Sequence, residues 1–181
     1  MASHAALTPS AWVARFLPFV RGGGAVLDVA CGHGRHARLF AQCGYRVTAL
    51  DRDQEALAAL TDVDNVMTLR ADIESGPWPL AGRSFDAIVV TNYLHRPLFP
   101  VLLSALATEG LLIYESFAAG NERYGRPASP RFLLDPGELL QRCAGLRVLA
   151  YEDSYVAQPK PALIQRICAI RSARVPHDAP E

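Results

Sequence analysis

Val26-Leu27-Asp28-Val29-Ala30-Cys31-Gly32-His33-Gly34 is the stretch on which the fold turns. From Ala25 to Ala30 the residues are almost continuously apolar, as expected of a strand in a parallel sheet covered on both faces. An acid interrupts the run at Asp28, and two glycines come before helical spacing resumes at Arg35, Leu39, Phe40 and Cys43, with Gly44 as the expected C-terminal cap. Glycine lets a backbone turn sharply and approach a ligand without a Cβ in the way. A dinucleotide fingerprint of the form G-x-G-x-x-G asks for glycine at positions 30, 32 and 35, where this chain has Ala30, Gly32 and Arg35. Only the middle position fits.

Outward from this stretch, strands and helices alternate. Tyr45 to Leu50 reads as a second strand with Asp51 at its end, and Asp53 as the cap of a helix running to Leu60. Asn65 to Ala71 is a third strand ending beside Asp72, and a proline- and glycine-bearing loop (Ser75 to Ser84) leads to a fourth, Phe85 to Thr91. Next come a helix over Pro97 to Ala107 and a fifth strand over Leu111 to Phe117, then a long connection, Ala118 to Pro130, and a helix over Pro136 to Cys143. Leu146 to Tyr151 and Ala162 to Ile170 have no crossover helix between them and so suit an antiparallel pair at the sheet edge. Before the first strand, Trp12, Val13, Phe16, Leu17 and Val20 recur at helical spacing, with Thr8 as N-cap and Pro9 at the first helical position. The pattern predicts an α/β, Rossmann-like, doubly wound fold: a mostly parallel seven-stranded sheet with an antiparallel edge strand. It forms a single domain over 1–175, with a short tail over 176–181.

Bulk properties narrow the partners. The chain has 181 residues, half of them hydrophobic, enough for one sizeable core and cramped for two. Lysine plus arginine (18) equals aspartate plus glutamate (18), so no net field draws it to nucleic acid or to anionic membranes. Cys31, Cys43, Cys143 and Cys168 form no CxxC pair, which argues against a disulfide scaffold or a zinc set and for reduced thiols in the cytoplasm. Met1 to Leu7 lacks the basic and apolar regions of a secretory signal, and no apolar run approaches a membrane span.

A loop of two glycines near an acid suits a ligand with an ammonium and a carboxylate better than a pyrophosphate, which needs helix N-terminal amides at very close range. The segment Val26 to Gly34 resembles motif I of class I S-adenosylmethionine (SAM)-dependent methyltransferases. The resemblance implies that Ala30, Cys31, Gly32 and Gly34 cradle the methionine part of SAM, with Asp28 close to its ammonium. It implies that Asp51, with Arg52 beside it, accepts hydrogen bonds from the ribose hydroxyls. Asp51 stands about 20 residues beyond the glycine loop, the spacing of a ribose-binding acid in a βαβ unit. Ala71-Asp72-Ile73 matches the family's adenine site, with Asp72 as acceptor and Ile73 as an apolar wall. Asn92 to Arg96, after the fourth strand, is where the family flanks the transferred methyl: Asn92 on the cofactor side, Tyr93, His95 and Arg96 as candidate catalytic groups. Each residue alone also has a structural reading, as strand end, helix cap or core aromatic.

The later stretch Gly120-Asn121-Glu122-Arg123-Tyr124-Gly125-Arg126-Pro127, with Phe132-Leu133-Leu134-Asp135-Pro136-Gly137-Glu138-Leu139-Leu140 after it, resembles small bacterial methyltransferases of the tellurite-resistance-like and thiopurine-methyltransferase-like kind. Arg123 and Arg126 either grip an anionic substrate or pair with Glu115 and Glu122 to hold a lid, and the second is the preferred reading. The function expected is methyl transfer from SAM to a small-molecule acceptor: a thiol, a metalloid oxyanion, or a small amine or oxygen nucleophile. The alternatives are a macromolecular acceptor, RNA or protein, and a SAM-binding module without catalysis. No metal, nucleic acid or membrane is expected, and the oligomeric state is left open.

Overall fold

The computed structural model describes residues 8–172, so the expectations for Met1 to Leu7 and for the tail over 176–181 lie outside the described residues. Seven strands form one sheet: β1 (Ala25–Val29), β2 (Arg46–Asp51), β3 (Val66–Arg70), β4 (Phe85–Thr91), β5 (Leu106–Phe117), β6 (Arg147–Val156) and β7 (Ala162–Ile170). Their order is β3-β2-β1-β4-β5-β7-β6. The first five are parallel, and the strand order reverses between β1 and β4, where open α/β sheets bind ligands at the carboxyl ends of their strands.

Apolar side chains of the central strands alternate between two cores. Leu27, Val29, Ile88, Val90, Leu112 and Tyr114 pack on one face. Val26, Ala87, Val89 and Ile113 pack on the other, beneath Trp12, Val13 and Phe16 of α1 (Ala11–Phe16) and Phe40 of α2 (Arg35–Gln42). This two-sided burial is why β1 and β4 read as continuous apolar runs.

The departures from expectation have local causes. The N-cap of α1 is Ser10 rather than Thr8: the Ser10 hydroxyl accepts from Trp12 N–H at 3.1 Å, and Pro18 limits the chain beyond Phe16 to a 3-10 turn, Leu17–Phe19. The helix expected over 97–107 is a 3-10 turn (Arg96–Leu98) and a short α4 (Phe99–Ser104), because β5 begins at Leu106. The segment Thr108-Glu109-Gly110 looks like a turn in sequence but is a bulge within β5: Glu109 has φ 61°, and the register to β4 shifts between Phe85 and Ala87. β7 and β6 form the expected antiparallel pair at the sheet edge, with β7 next to β5 and β6 outermost, and β6 is longer than expected, pairing with β7 as far as Val156. Helix α3 (Gln54–Ala58) is capped by Asp53 as expected, and the last helix, α5, is limited to Glu138–Arg142.

Candidate functional site

After β1 the backbone takes left-handed φ values at Ala30 (51°), Gly32 (53°) and Gly34 (71°). The reasons for glycine differ at the last two. A Cβ on Gly34 would collide with the Leu60 side chain, whereas one on Gly32 would meet nothing within 4 Å and would jut into the space above the loop. The loop is tied to the next strand end: Asp51 Oδ2 accepts from Gly32 N–H at 2.7 Å, and Asp51 Oδ1 from Asp53 N–H at 2.9 Å. Asp51 is therefore oriented before any ligand arrives.

A cleft of about 390 Å³ opens beside this loop, at the carboxyl ends of the strands. One half is lined by Ala30, Asp51, Arg52, Ala71, Asp72, Ile73 and Glu74. The other is lined by Asn92, Tyr93, Leu94, Ser116, Phe117, Pro127 and Phe132. The carboxylates all belong to the first half. Of the residues singled out in the sequence, Ala30, Asp51, Arg52, Ala71, Asp72, Ile73, Asn92 and Tyr93 meet here. Glu74, Ser116 and Phe117 were not singled out, Leu94 lies within the 92–96 segment, and Pro127 and Phe132 come from the 120–140 stretch, which was quoted from the sequence without giving them a role.

Other expected positions differ. Asp28 does not face the cleft: it is 1% exposed and its Oδ2 accepts from Ala37 N–H at 2.9 Å, bracing the first turn of α2 from below. Burial pushes its carboxyl up to about 7, against the pull of the Ala37 hydrogen bond and of Arg35. The Cys31 thiol is buried and raised well above its ordinary range by that burial, with the Asp28 and Asp51 charges adding to it, so it is an inert part of the loop. Asp72 lines the cleft, but its oxygens already accept from Glu74 N–H (3.0 Å), Ser75 N–H (3.3 Å) and the Ser75 hydroxyl (2.5 Å), bonds that hold its carboxyl below the usual range.

The catalytic candidates separate. The Tyr93 hydroxyl is buried with no hydrogen-bond partner among the described residues. Burial first, and the Glu74 carboxylate next, push this phenol well above its ordinary range, so it is a proton donor and not a base. Its backbone carbonyl is held by the Tyr114 hydroxyl at 2.8 Å. His95 is half-buried at the start of the 3-10 turn, makes no side-chain capping bond and is outside the cleft lining. Arg96 is also outside it. Its guanidinium forks onto Glu138 (2.8 and 2.7 Å) and donates to the carbonyls of Leu133 (2.8 Å) and Arg131 (3.1 Å). Burial alone would raise the Glu138 carboxyl, but the bonds from Arg96, Asp135 N–H and Arg142 outweigh it and hold it low. The expected pairing of Arg123 and Arg126 with Glu115 and Glu122 is absent: Glu115 pairs with Arg166 at 3.3 Å, and Glu122 accepts from Gly120 N–H at 2.9 Å.

A polar group on the α1 side of the sheet edge escaped the sequence reading, because its members are far apart in the chain. His36 Nε2 accepts from Ser10 N–H at 3.0 Å, which places the ring proton on Nδ1, 3.4 Å from Thr91 Oγ1. Burial, reinforced by Arg35, lowers this imidazole to about 3, so it is neutral. The Ser10 hydroxyl donates to Glu115 Oε1 at 2.9 Å, and Arg35 donates to the Thr8 carbonyl at 3.2 Å.

Comparison with known proteins agrees with this geometry. Residues 26–108 match the family model described as a methyltransferase domain. A curated relative, the ribosomal RNA small subunit methyltransferase H of Gemmatimonas aurantiaca, is 28% identical over 155 residues, 83% of this chain and 48% of its own length; the chain thus spans about half of that relative. Among solved structures, TehB from Haemophilus influenzae superposes with a TM-score of 0.77 at 18% identity, over 91% of this chain and 63% of TehB. An S-adenosylmethionine-dependent methyltransferase from Mesorhizobium loti superposes with a TM-score of 0.70 at 19% identity, over 88% and 95%. Residues 26–108 are thus similar to a methyltransferase domain, and the described residues share the fold of the solved methyltransferase structures they superpose on.

Proposed function

We propose that this protein transfers the methyl group of SAM to a small-molecule nucleophile. The observation that carries the reading is the left-handed Ala30–Gly34 loop stapled by Asp51 at 2.7 Å, on a cleft whose near half is acidic. Three features of the cleft fit the cofactor: the open space over Gly32, the oriented ribose acceptor, and the unpartnered buried Tyr93 hydroxyl. A diphosphate would meet Asp51, Asp72 and Glu74 instead of bare amides. SAM supplies an already activated methyl on its sulfonium.

The chain's residues then bind, orient and exclude water. Asp51 takes the ribose hydroxyls through lone pairs left free by its two backbone bonds, and Ile73 walls the adenine beside Asp72. Asn92, at φ 55°, turns the chain at the end of β4 so that Tyr93 and Leu94 flank the reacting edge. Phe117, Pro127 and Phe132 shape an acceptor pocket without carboxylates. Because Tyr93 holds its proton, it serves as a hydrogen-bond donor. A thiolate or similarly soft anion needs no base; an amine or oxygen acceptor needs one, and His95, which the sequence offers for it, lies outside the cleft lining. Arg96 fixes the 131–138 segment and so the pocket wall.

Calorimetry with S-adenosylhomocysteine tests the cofactor site. Asp51→Ala should weaken binding by about 1–3 kcal/mol, the worth of hydrogen bonds to a charged group, and unchanged affinity overturns the ribose role. Turnover of SAM with thiols, metalloid oxyanions and small amines, set against ribosomal RNA, tests the acceptor class. Turnover with RNA alone would replace the small-molecule reading by the activity in the Gemmatimonas relative's name.

A further inference from the structure

The connection between β5 and α5 was expected to pair Arg123 and Arg126 with Glu115 and Glu122, and both acids are engaged elsewhere. Its cations are left without anions: Arg123, Arg126 and Arg131 are exposed and form no ion pair among the described residues. Of the three, Arg131 is the one in ring contact with the cleft wall. Its guanidinium carbon lies 4.5 Å from the centroid of the Phe132 ring, and Phe132 lines the acceptor half. The turn that carries it, Pro130–Phe132, is held by Arg96, which donates to the carbonyls of Arg131 at 3.1 Å and Leu133 at 2.8 Å. A guanidinium stacked on a ring keeps its N–H edge free, here at the rim of the cleft. Inside that rim the acceptor half holds no charge: its polar side chains, Asn92, Tyr93 and Ser116, are neutral, and the rest of its lining is apolar. Asp51, Asp72 and Glu74 all stand on the opposite half.

We infer that the methyl acceptor is an organic anion, whose carboxylate or phosphate stays at the rim on Arg131 while its nucleophile enters the uncharged pocket. The inference rests on the methyltransferase reading above and narrows its acceptor class. An anionic group taken inside would be desolvated with no cation to meet it, which is costly. At the rim it keeps part of its water and meets the open fork of the guanidinium in a charge-assisted pair. The acids across the cleft repel the same group, so the charge pattern decides which end of the acceptor goes in first. The body between the two ends is apolar, to match the Phe117, Pro127 and Phe132 walls. A bare metalloid oxyanion, with its charge on the reacting atom, does not span pocket and rim.

Matched acceptors that differ only in this group test the assignment: para-mercaptobenzoate against para-mercaptobenzamide, para-aminobenzoate against para-aminobenzamide, and para-aminophenyl phosphate against para-methoxyaniline. Isothermal titration into the chain saturated with S-adenosylhomocysteine reads their binding whether or not they are methylated, and turnover of SAM gives kcat and KM for those that are. At least one charged member should bind about 5- to 10-fold more tightly than its neutral partner, with the difference in KM and not in kcat. That preference should shrink as salt rises, vanish in Arg131→Gln and survive in part in Arg131→Lys. Whether it appears in the carboxylate pairs or in the phosphate pair tells which anion the rim holds. Neutral members that bind as well as charged ones, a preference that outlasts Arg131→Gln, or equal losses for both members of a pair overturn the inference. So do binding by none of the six while S-adenosylhomocysteine binds, and turnover confined to a metalloid oxyanion or to ribosomal RNA. If S-adenosylhomocysteine itself does not bind, it is the methyltransferase reading that fails.

Discussion

Asp28, held by the N–H of Ala37, and the adjoining His36 are both buried, and burial shifts them in opposite senses. The folded-state value of Asp28 lies near 7, above its ordinary 3.8, so its contribution to stability is full below about pH 4 and is lost as pH rises through about 7. His36 is lowered from 6.5 to about 3, so its contribution is present above pH 6.5 and is lost on acidification toward 3. Asp28→Asn keeps an acceptor for Ala37 N–H and removes the ionisation. Thermal unfolding from pH 4 to 8 should show the wild-type chain losing ground to Asp28→Asn as pH rises, by up to a few kcal/mol; parallel curves would mean that Asp28 is not desolvated. At this scale the sequence was legible where signals are local. The glycine loop, Asp51 and the Asp53 cap are set by neighbours a few residues apart. The role of Asp28 depends on the face it presents once α2 packs on β1, and the partner of His36 is 26 residues away.

The connection between β5 and α5 is held at two buried polar points. Asn121, 2% exposed, donates to the Pro127 carbonyl and accepts from Leu163 N–H, both at 3.1 Å, fixing one end of the pocket wall to β7. Arg96 and Glu138 fix the other end. Removing the cation leaves a buried carboxylate with Arg142 and the Asp135 N–H as its remaining partners. Arg96→Ala should destabilise the chain by about 2–3 kcal/mol, toward the low side for a broken buried pair because Arg96 is 28% exposed. Hydrogen exchange should speed up through 119–135, while affinity for S-adenosylhomocysteine stays within about twofold because the near half of the cleft is untouched. Equal weakening of cofactor binding would place Arg96 in the cofactor site. The segment announced itself in sequence by its length and its glycines. Its anchors did not, since Arg96 and Glu138 are 42 residues apart and look like ordinary surface charges.

Across the whole molecule, the parallel strands were readable because burial on both faces writes an unbroken apolar run. The bulge in β5 was not, since Glu109 and Gly110 have the composition of a turn, nor was the inner position of β7, which depends on pairing across the sheet. A ligand that binds only the folded chain stabilises it by mass action. With S-adenosylhomocysteine at about a hundred times its dissociation constant, the gain of roughly 2.7 kcal/mol should raise the melting temperature by about 5–10 °C for a chain of this size. Scanning calorimetry checks this, and an unmoved midpoint would contradict specific binding.

The reversed direction of β7 has a consequence for how such a domain diversifies. Ile164 pairs with Phe117, so the hairpin turn over 157–161 emerges on the same rim as the acceptor wall, on the opposite flank from β1, β2 and β3. On the proposed function, new loops or whole modules spliced into that hairpin would reshape the acceptor side while β1, β2 and β3 stay uncut, so that substrate range and cofactor retention would fall to separate flanks of one sheet, free to change at different rates.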